Sequence, residues 1–103
     1  MLLRENGLRF KREVLKSEKS VIVCFYSYWS EASIDLLDFL KTFASENPEY
    51  KVYGVNCAKS PKLVKKYKIT AFPALVLFKG GYEVKRNFGI QNEATLKYFL
   101  EEK

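Results

Sequence analysis

The side chains best placed for covalent or redox chemistry are two thiols, Cys24 and Cys57, and two hydroxyls, Ser30 and Ser33. A serine or cysteine nucleophile usually depends on a neighbouring base, most often histidine. The chain contains no histidine, which excludes Ser-His and Cys-His catalytic pairs and zinc sites of the Cys/His type. We therefore predict no metal site and no cofactor.

The two serines lie where an apolar strand, residues 21–26, gives way to an amphipathic helix, residues 34–43. The segment Trp29-Ser30-Glu31-Ala32-Ser33 connects the strand to the helix. The first turn of a helix leaves backbone N–H groups without intrahelical partners. In open α/β sheets, ligand-binding and catalytic sites lie at the carboxyl ends of the strands, where such helices begin. On the residues alone, Ser30 is predicted to be a helix N-cap and Ser33 a residue of the first turn.

The two cysteines are placed differently. Cys24 is inside the apolar strand and Cys57 follows the end of another, residues 52–55. A thiol reacts as a thiolate, which a helix N-terminus favours and an apolar interior disfavours. We expect both to be buried and inert. A covert redox pair formed by these two cysteines is the less favoured alternative.

The remaining pattern predicts one α/β domain over residues 1–103, with a mixed sheet and helices on both faces. Lys79-Gly80-Gly81 is typical of a tight hairpin. The first helix is expected to pack Leu8, Val14 and Leu15 inward, with Phe10 at its margin. Predicted strands are residues 2–4, 21–26, 52–55, 74–78 and 82–88. The first predicted helix follows the cap Asn6 and runs to about residue 16. The second begins around residues 30–33 and ends near 47–48, and the last two are residues 62–67 and 94–100.

Residues 21–33 resemble the active-site strand and helix start of the thioredoxin family, where the matching segment ends in W-C-x-x-C. The similarity continues, in the family's order, through Val55-Asn56-Cys57, Tyr67-Lys68-Ile69, residues 72–78, Gly80-Gly81 and Phe88-Gly89. Cys57 also resembles a non-catalytic cysteine of protein disulfide isomerase domains. The resemblance implies the thioredoxin fold, with the element order β-α-β-α-β-α-β-β-α.

Several positions depart from the family's pattern. The family's first cysteine attacks a substrate disulfide and its second resolves the mixed disulfide, and Ser30 and Ser33 stand at these positions. Cys24 stands at the family's buried acid, Gly54 at a lysine often found near it, and Asp38 at a helix proline. The resemblance therefore implies a redox-inactive chain as written. The alternative is a thiol-disulfide oxidoreductase whose two active-site cysteines are substituted by Ser30 and Ser33 in this chain.

The resemblance also implies that Pro73 is cis and faces the Trp29 segment. An aromatic surface with a free backbone edge is suited to adding an extended peptide. For Phe72 and Phe88, packing in the core is an equal alternative, whereas a tryptophan at a strand-to-helix turn is harder to explain by packing. The peptide-binding surface expected here, called the rim below, consists of Tyr28, Trp29, Glu31, Phe72, Pro73, Phe88, Gly89 and Ile90.

The net charge of +6 favours acidic partners. Five lysines cluster without an acidic residue among them, which predicts a solvated helix face first and a contact for an acidic protein second. A nucleic-acid partner is disfavoured, because no recognised binding module accompanies the lysines. No apolar run is long enough for a membrane span and no signal peptide is visible, so we expect a cytoplasmic protein. The lysines are Lys59, Lys62, Lys65, Lys66 and Lys68.

Overall fold

The alternation of apolar and amphipathic stretches is realised as strands and helices in the computed structural model, which describes residues 7–88 and 92–101. The predicted strand at residues 2–4 and the cap Asn6 lie outside the described residues. A π-helical segment, Lys11–Leu15, continues α1, with Lys16 N–H donating to the Lys11 carbonyl at 2.9 Å. The elements are α1 (Gly7–Phe10), β1 (Ser20–Tyr26), α2 (Glu31–Glu46), β2 (Tyr50–Asn56), α3 (Pro61–Lys66), β3 (Ala74–Lys79), β4 (Tyr82–Asn87) and α4 (Glu93–Glu101).

The four described strands form one mixed sheet in the order β2-β1-β3-β4. Strand β1 runs parallel to β2 and antiparallel to β3, and β3 pairs with β4 as the antiparallel hairpin predicted from the Lys-Gly-Gly turn. Gly81 in this turn has φ +86°, and a Cβ there would lie 2.7 Å from the Leu15 carbonyl oxygen. The close approach ties the hairpin to the end of the first helix and requires glycine.

Side chains of β1 alternate between two apolar cores, one on each face of the sheet. Val21, Val23 and Phe25 point into the core covered by α1, its π-helical continuation and α3. Ile22 and Cys24 point into the core covered by α2 and α4. Because both faces of β1 are covered, its sequence is continuously apolar, as predicted for a central strand.

The packing of the first helix corrects the sequence-based prediction. Phe10, expected at the margin, is 1% exposed, whereas Leu8, expected inside, is 72% exposed. Two residues along an α-helix turn the side chain by about 200°, so the two cannot share a face. Phe10 is the one that faces the sheet, because its ring meets those of Tyr53, Tyr67 and Phe78 at centroid distances of 6.0, 5.5 and 5.7 Å.

The β3–β4 ladder contains a bulge that the sequence did not indicate. Leu77 pairs with Lys85 and Phe78 with Glu83, which leaves Val84 as the extra residue. The bulge brings Glu83 and Arg86 to the same face, where the guanidinium donates two hydrogen bonds of 2.7 Å to the carboxylate. This ion pair links the bulged part of β4 to the end of the strand.

Within residues 7–88 and 92–101, no helix is long and apolar enough to cross a membrane.

Candidate functional site

The ends of all four described strands come together along one edge of the sheet. Tyr26, the last residue of β1, pairs with Asn56, the last of β2. Phe25 pairs with Ala74, the first residue of β3, and Leu75 pairs with Asn87, the last of β4. The segments just beyond these residues therefore lie at the same end of the sheet, called the site end below. They are residues 27–30, 57–60, 72–73 and Phe88.

A tight turn carries Trp29 at the site end. The Ser30 N–H donates to the Ser27 carbonyl at 3.1 Å, and the Trp29 N–H donates to the Ser27 hydroxyl at 3.2 Å. These bonds hold the backbone of the turn, and the Trp29 side chain is 93% exposed. Ser27, not singled out from the sequence, is thus the residue that shapes this turn. A serine two residues before an exposed aromatic residue at a strand end is the signal that could have found it.

Ser30 and Ser33 both use their hydroxyls for the backbone. The Ser30 Oγ accepts from the Ser33 N–H at 3.2 Å, which confirms Ser30 as the N-cap of α2. The Ser33 Oγ accepts from the buried Ser27 N–H at 3.3 Å, and Ser33 itself is fully buried. The pair therefore ties the strand end, the turn and the helix start together. Neither hydroxyl meets a side chain that could act as its base among these contacts.

The other predicted rim residues that the structure describes also reach the site end. The Phe72–Pro73 peptide bond is cis. Phe72 is 43% exposed and Phe88 is 41% exposed, so neither is a core residue. Glu31 is the first residue of α2 and is exposed. Gly89 and Ile90 lie outside the described residues.

Tyr26 supports the exposed Tyr28, a role that the sequence did not suggest. The two rings meet edge to face with centroids 5.3 Å apart. The Tyr26 ring also covers Gly54 on the neighbouring strand, where an added Cβ would lie 3.2 Å from the ring. Burial, together with a hydrogen bond to Tyr28, raises the pKa of Tyr26 to about 12. At Gly54, where the resemblance places a lysine, the space beside the backbone is therefore occupied by the uncharged ring of Tyr26.

The two thiols are buried, as predicted, and lie in different cores. Cys24 belongs to the core under α2 and α4, whereas Cys57 belongs to the core on the opposite face of the sheet. Burial, with a smaller contribution from Cys57, raises the pKa of Cys24 to about 12. Burial raises the pKa of Cys57 to about 11. Both thiols are held in the protonated, unreactive form, and the sheet separates them.

The turn after β2 adds a cation to the site end. The Cys57 N–H donates to the Tyr26 carbonyl at 2.9 Å, which places this turn beside the Trp29 turn. The Ala58 N–H donates to the Asn56 side chain at 3.0 Å, and the Lys59 N–H to the Asn56 carbonyl at 3.1 Å. Lys59 is exposed here. The sequence had assigned Lys59 only to a lysine cluster, because the pairing of β1 with β2 is not visible in the chain order.

Within the described ranges, no three histidine, cysteine, aspartate or glutamate side chains come together in a group that could hold a metal ion.

Comparison with known proteins agrees with the architecture. The thioredoxin family model, described as Thioredoxin, matches residues 2–102. Thioredoxin of Buchnera aphidicola subsp. Baizongia pistaciae is 37% identical over 88% of this chain and 84% of its own length. Thioredoxin 1 of Nostoc sp. is 32% identical over 89% of this chain and 87% of its own length. Thioredoxin of Rickettsia typhi is 30% identical over 93% of this chain and 92% of its own length. The mixed sheet and its flanking helices are consistent with the thioredoxin fold, and the chain belongs to the thioredoxin family.

Proposed function

We propose that this chain is a thioredoxin-like binding module without thiol-disulfide activity, and that it holds an extended peptide or protein segment against the rim. The observation that carries the proposal is that Trp29, Phe72 and Phe88 are all exposed at the same end of the sheet. Aromatic side chains with one open face are the residues most often found at the centre of protein interfaces. The relatives named above are thioredoxins, and this chain shares their framework.

The lack of redox activity is argued from where the thiols and hydroxyls lie. The start of α2, which lowers the pKa of a thiol placed there, carries serine hydroxyls bonded to the backbone. The thiols of Cys24 and Cys57 are buried, with pKa values raised to about 12 and about 11. A serine hydroxyl cannot form or resolve a mixed disulfide. The proposal therefore assigns these serines to the architecture of the turn.

The peptide-binding part rests on the free surface at the site end. Among the described residues, no backbone hydrogen bond joins Phe72 to another segment. An extended segment laid along Phe72 and Pro73 could therefore use its own backbone groups there, with its side chains on the exposed rings of Tyr28 and Trp29. A rigid aromatic surface loses little side-chain entropy on binding.

The binding proposal is tested with peptides selected from a randomised library displayed on phage. Trp29 is the chain's single tryptophan, so its fluorescence reports directly on the rim. We expect selected peptides to quench or shift this emission. Trp29→Ala should weaken the binding of a labelled peptide by about 1 to 3 kcal/mol, measured by anisotropy.

The matched control is Tyr82→Ala. Tyr82 is also an exposed aromatic residue, but it lies at the hairpin end of β4, away from the site end. Its replacement should leave affinity unchanged. Peptides that bind without altering Trp29 fluorescence, or that lose affinity equally in both variants, would show that the binding surface is not the rim.

The redox part is tested by disulfide reduction in the presence of dithiothreitol. We expect the protein to add nothing to the rate of a control without protein. The matched variant replaces Cys24 and Cys57 with alanine. Turnover that survives these replacements would contradict the argument from thiol placement, and turnover that they abolish would assign the activity to the buried thiols.

A further inference from the structure

We infer that the segment held at the rim carries acidic residues at one end, and that Lys59 and Lys62 form the subsite that receives their carboxylates. This inference rests on the proposed function, since it assumes that the rim holds a peptide. It specifies that the partner is an acidic peptide whose charge is confined to one end.

The first observation is a strong separation of charge along the chain. Between Glu49 and Glu83 there is no acidic residue, whereas the 12 acidic residues of the protein all lie outside this stretch. A stretch of this length with cations alone creates a local positive potential that no neighbour in sequence cancels. Its lysines are Lys51, Lys59, Lys62, Lys65, Lys66, Lys68 and Lys79.

The fold brings part of this positive stretch to the site end. The turn that carries Lys59 is bonded to the end of β1 through the Cys57 N–H, 2.9 Å from the Tyr26 carbonyl oxygen. Lys62 follows three residues later, in the first turn of α3. Both side chains are exposed, and neither forms an ion pair within the described part of the chain. They are available to a ligand that lies on the rim.

The opposite border of the rim has the opposite charge. Glu31, Asp35 and Asp38 are exposed on the first turns of α2, which begins directly after the Trp29 turn. Because α2 covers one face of the sheet and α3 covers the other, a ligand crossing the site end meets carboxylates towards α2 and ammonium groups towards α3. A peptide can match this by carrying its acidic residues only at the end that lies over Lys59 and Lys62.

The same border argues against a nucleic acid on the rim. A single strand could stack its bases on exposed aromatic rings. It would, however, carry a negative charge at every phosphate, and those near α2 would face Glu31 and Asp35. A peptide with charge confined to one end avoids this repulsion. The structure therefore favours an acidic peptide over a nucleic acid.

The test compares synthetic peptides derived from one rim-binding sequence selected from the displayed library. One version carries three glutamates at its amino end, a second carries them at its carboxyl end, and a third carries glutamines in both places. Each exposed ion pair contributes a factor of up to about five in affinity, so we expect one glutamate version to bind about tenfold tighter than the glutamine version. The advantage should shrink towards none at 1 M salt, where the screening length falls to about 3 Å.

Variants locate the subsite. The double change Lys59→Glu with Lys62→Glu should remove the advantage of the glutamate peptide over the glutamine peptide. Lys19→Glu makes the same kind of charge change at the opposite end of β1. The seven residues of β1 span about 20 Å, beyond the screening length of about 8 Å at physiological salt. This control should keep the advantage intact.

The outcomes separate this inference from the function on which it rests. If all three peptides bind equally well, the inference of a lysine subsite for acidic residues is wrong, whereas the proposal that the rim binds a peptide is unaffected. If the library yields no binder that perturbs Trp29, both fail together. A ten-nucleotide thymidine strand that binds tighter than the glutamate peptide, and competes with it, overturns the peptide as the partner of these lysines.

Discussion

The start of α2 has the environment that stabilises a thiolate, whereas the two cysteine thiols lie in the buried cores on either face of the sheet. The helix start carries the positive end of the helix dipole, and it holds the hydroxyls of the half-buried Ser30 and the buried Ser33. The interior holds the thiols of Cys24 and Cys57, whose pKa values are raised by burial. One region has an environment that stabilises a thiolate, and the other has the sulfur atoms.

This comparison shows that the reactivity of a thiol belongs to its position in the fold as much as to the residue. A thiolate is favoured by the dipole at a helix N-terminus and disfavoured in an apolar core. The chain has the turn, the cap and the helix start that would lower the pKa of a thiol at position 30, and the same turn leaves Trp29 exposed. The two regions can be tested separately, by probing the buried thiols and by replacing the residues at the start of α2.

The largest expected effect is on the reactivity of the buried thiols. A pKa of about 12 in place of the ordinary 9.0 lowers the thiolate fraction of Cys24 at neutral pH by about a thousandfold. For Cys57, at about 11, the factor is about a hundred. Iodoacetamide labelling followed by mass spectrometry should show correspondingly slow modification of the folded protein.

The pH dependence of the same reaction has a definite sign. Because the pKa values are raised, the labelling rate of both thiols should still climb between pH 10 and pH 11, where that of an exposed cysteine has levelled off. In guanidinium chloride the two thiols should react at the same, fast rate. Rapid labelling of either thiol in the folded protein at pH 7 would show that the interior does not protect it.

A second prediction restores sulfur to the helix start with the double change Ser30→Cys and Ser33→Cys. The thiol introduced at position 30 should have a pKa below about 7.5, so that it reacts about tenfold faster at pH 7 than an ordinary cysteine. The pair should form a disulfide, yet turnover should stay low, because Cys24 offers no carboxylate to take a proton. Adding Cys24→Asp should raise turnover by about a hundredfold.

The matched comparison for this experiment is the double change alone, assayed side by side with the triple change. Full activity of the double variant would favour the alternative of an oxidoreductase that lost only its two active-site cysteines. A pKa near 9 at position 30 would instead mean that the helix start no longer stabilises a thiolate.

The smallest expected effects separate the two serines. Ser33→Ala leaves the buried Ser27 N–H without its acceptor and should lower the free energy of unfolding by about 1 to 3 kcal/mol. Ser30→Ala removes an N-cap and should cost about 1 kcal/mol. Ser45→Ala, on the exposed face of α2, should change stability by less than about 0.5 kcal/mol. Urea unfolding followed by circular dichroism measures all three, and equal losses for Ser33→Ala and Ser45→Ala would contradict the role of the buried bond.

Much of the framework was predictable from local signals. The apolar run of β1, the cap at Ser30 and the Lys-Gly-Gly hairpin each depend on residues adjacent in sequence, and each was found where expected. Burial of Cys24 also followed from its place in a continuously apolar strand. The expectation that Phe10 is marginal was wrong, because hydrophobic periodicity does not say which residue of a short helix meets the rings of other segments.

The details of the site depended on contacts between distant segments. The bulge at Val84 changes which residues of β4 share a face, and nothing in the local sequence of the strand indicates it. Lys59 became a neighbour of the rim only through the parallel pairing of β1 with β2. The bond between Ser27 and Ser33 joins a strand end to a helix, and its strength depends on the burial of both groups.

The sequence by itself determined the types of residue available, namely hydroxyls at a helix start, thiols in apolar strands and a long stretch with lysines but no acids. These are properties of composition and of short-range periodicity, which act before the chain folds. Only the tertiary structure decided that the two thiols lie on opposite faces of the sheet, that Trp29 is exposed and that the turn of Lys59 lies at the site end. The reason is that strand pairing and burial are set by segments far apart in the chain, whose meeting fixes both the dielectric surroundings of a group and its neighbours.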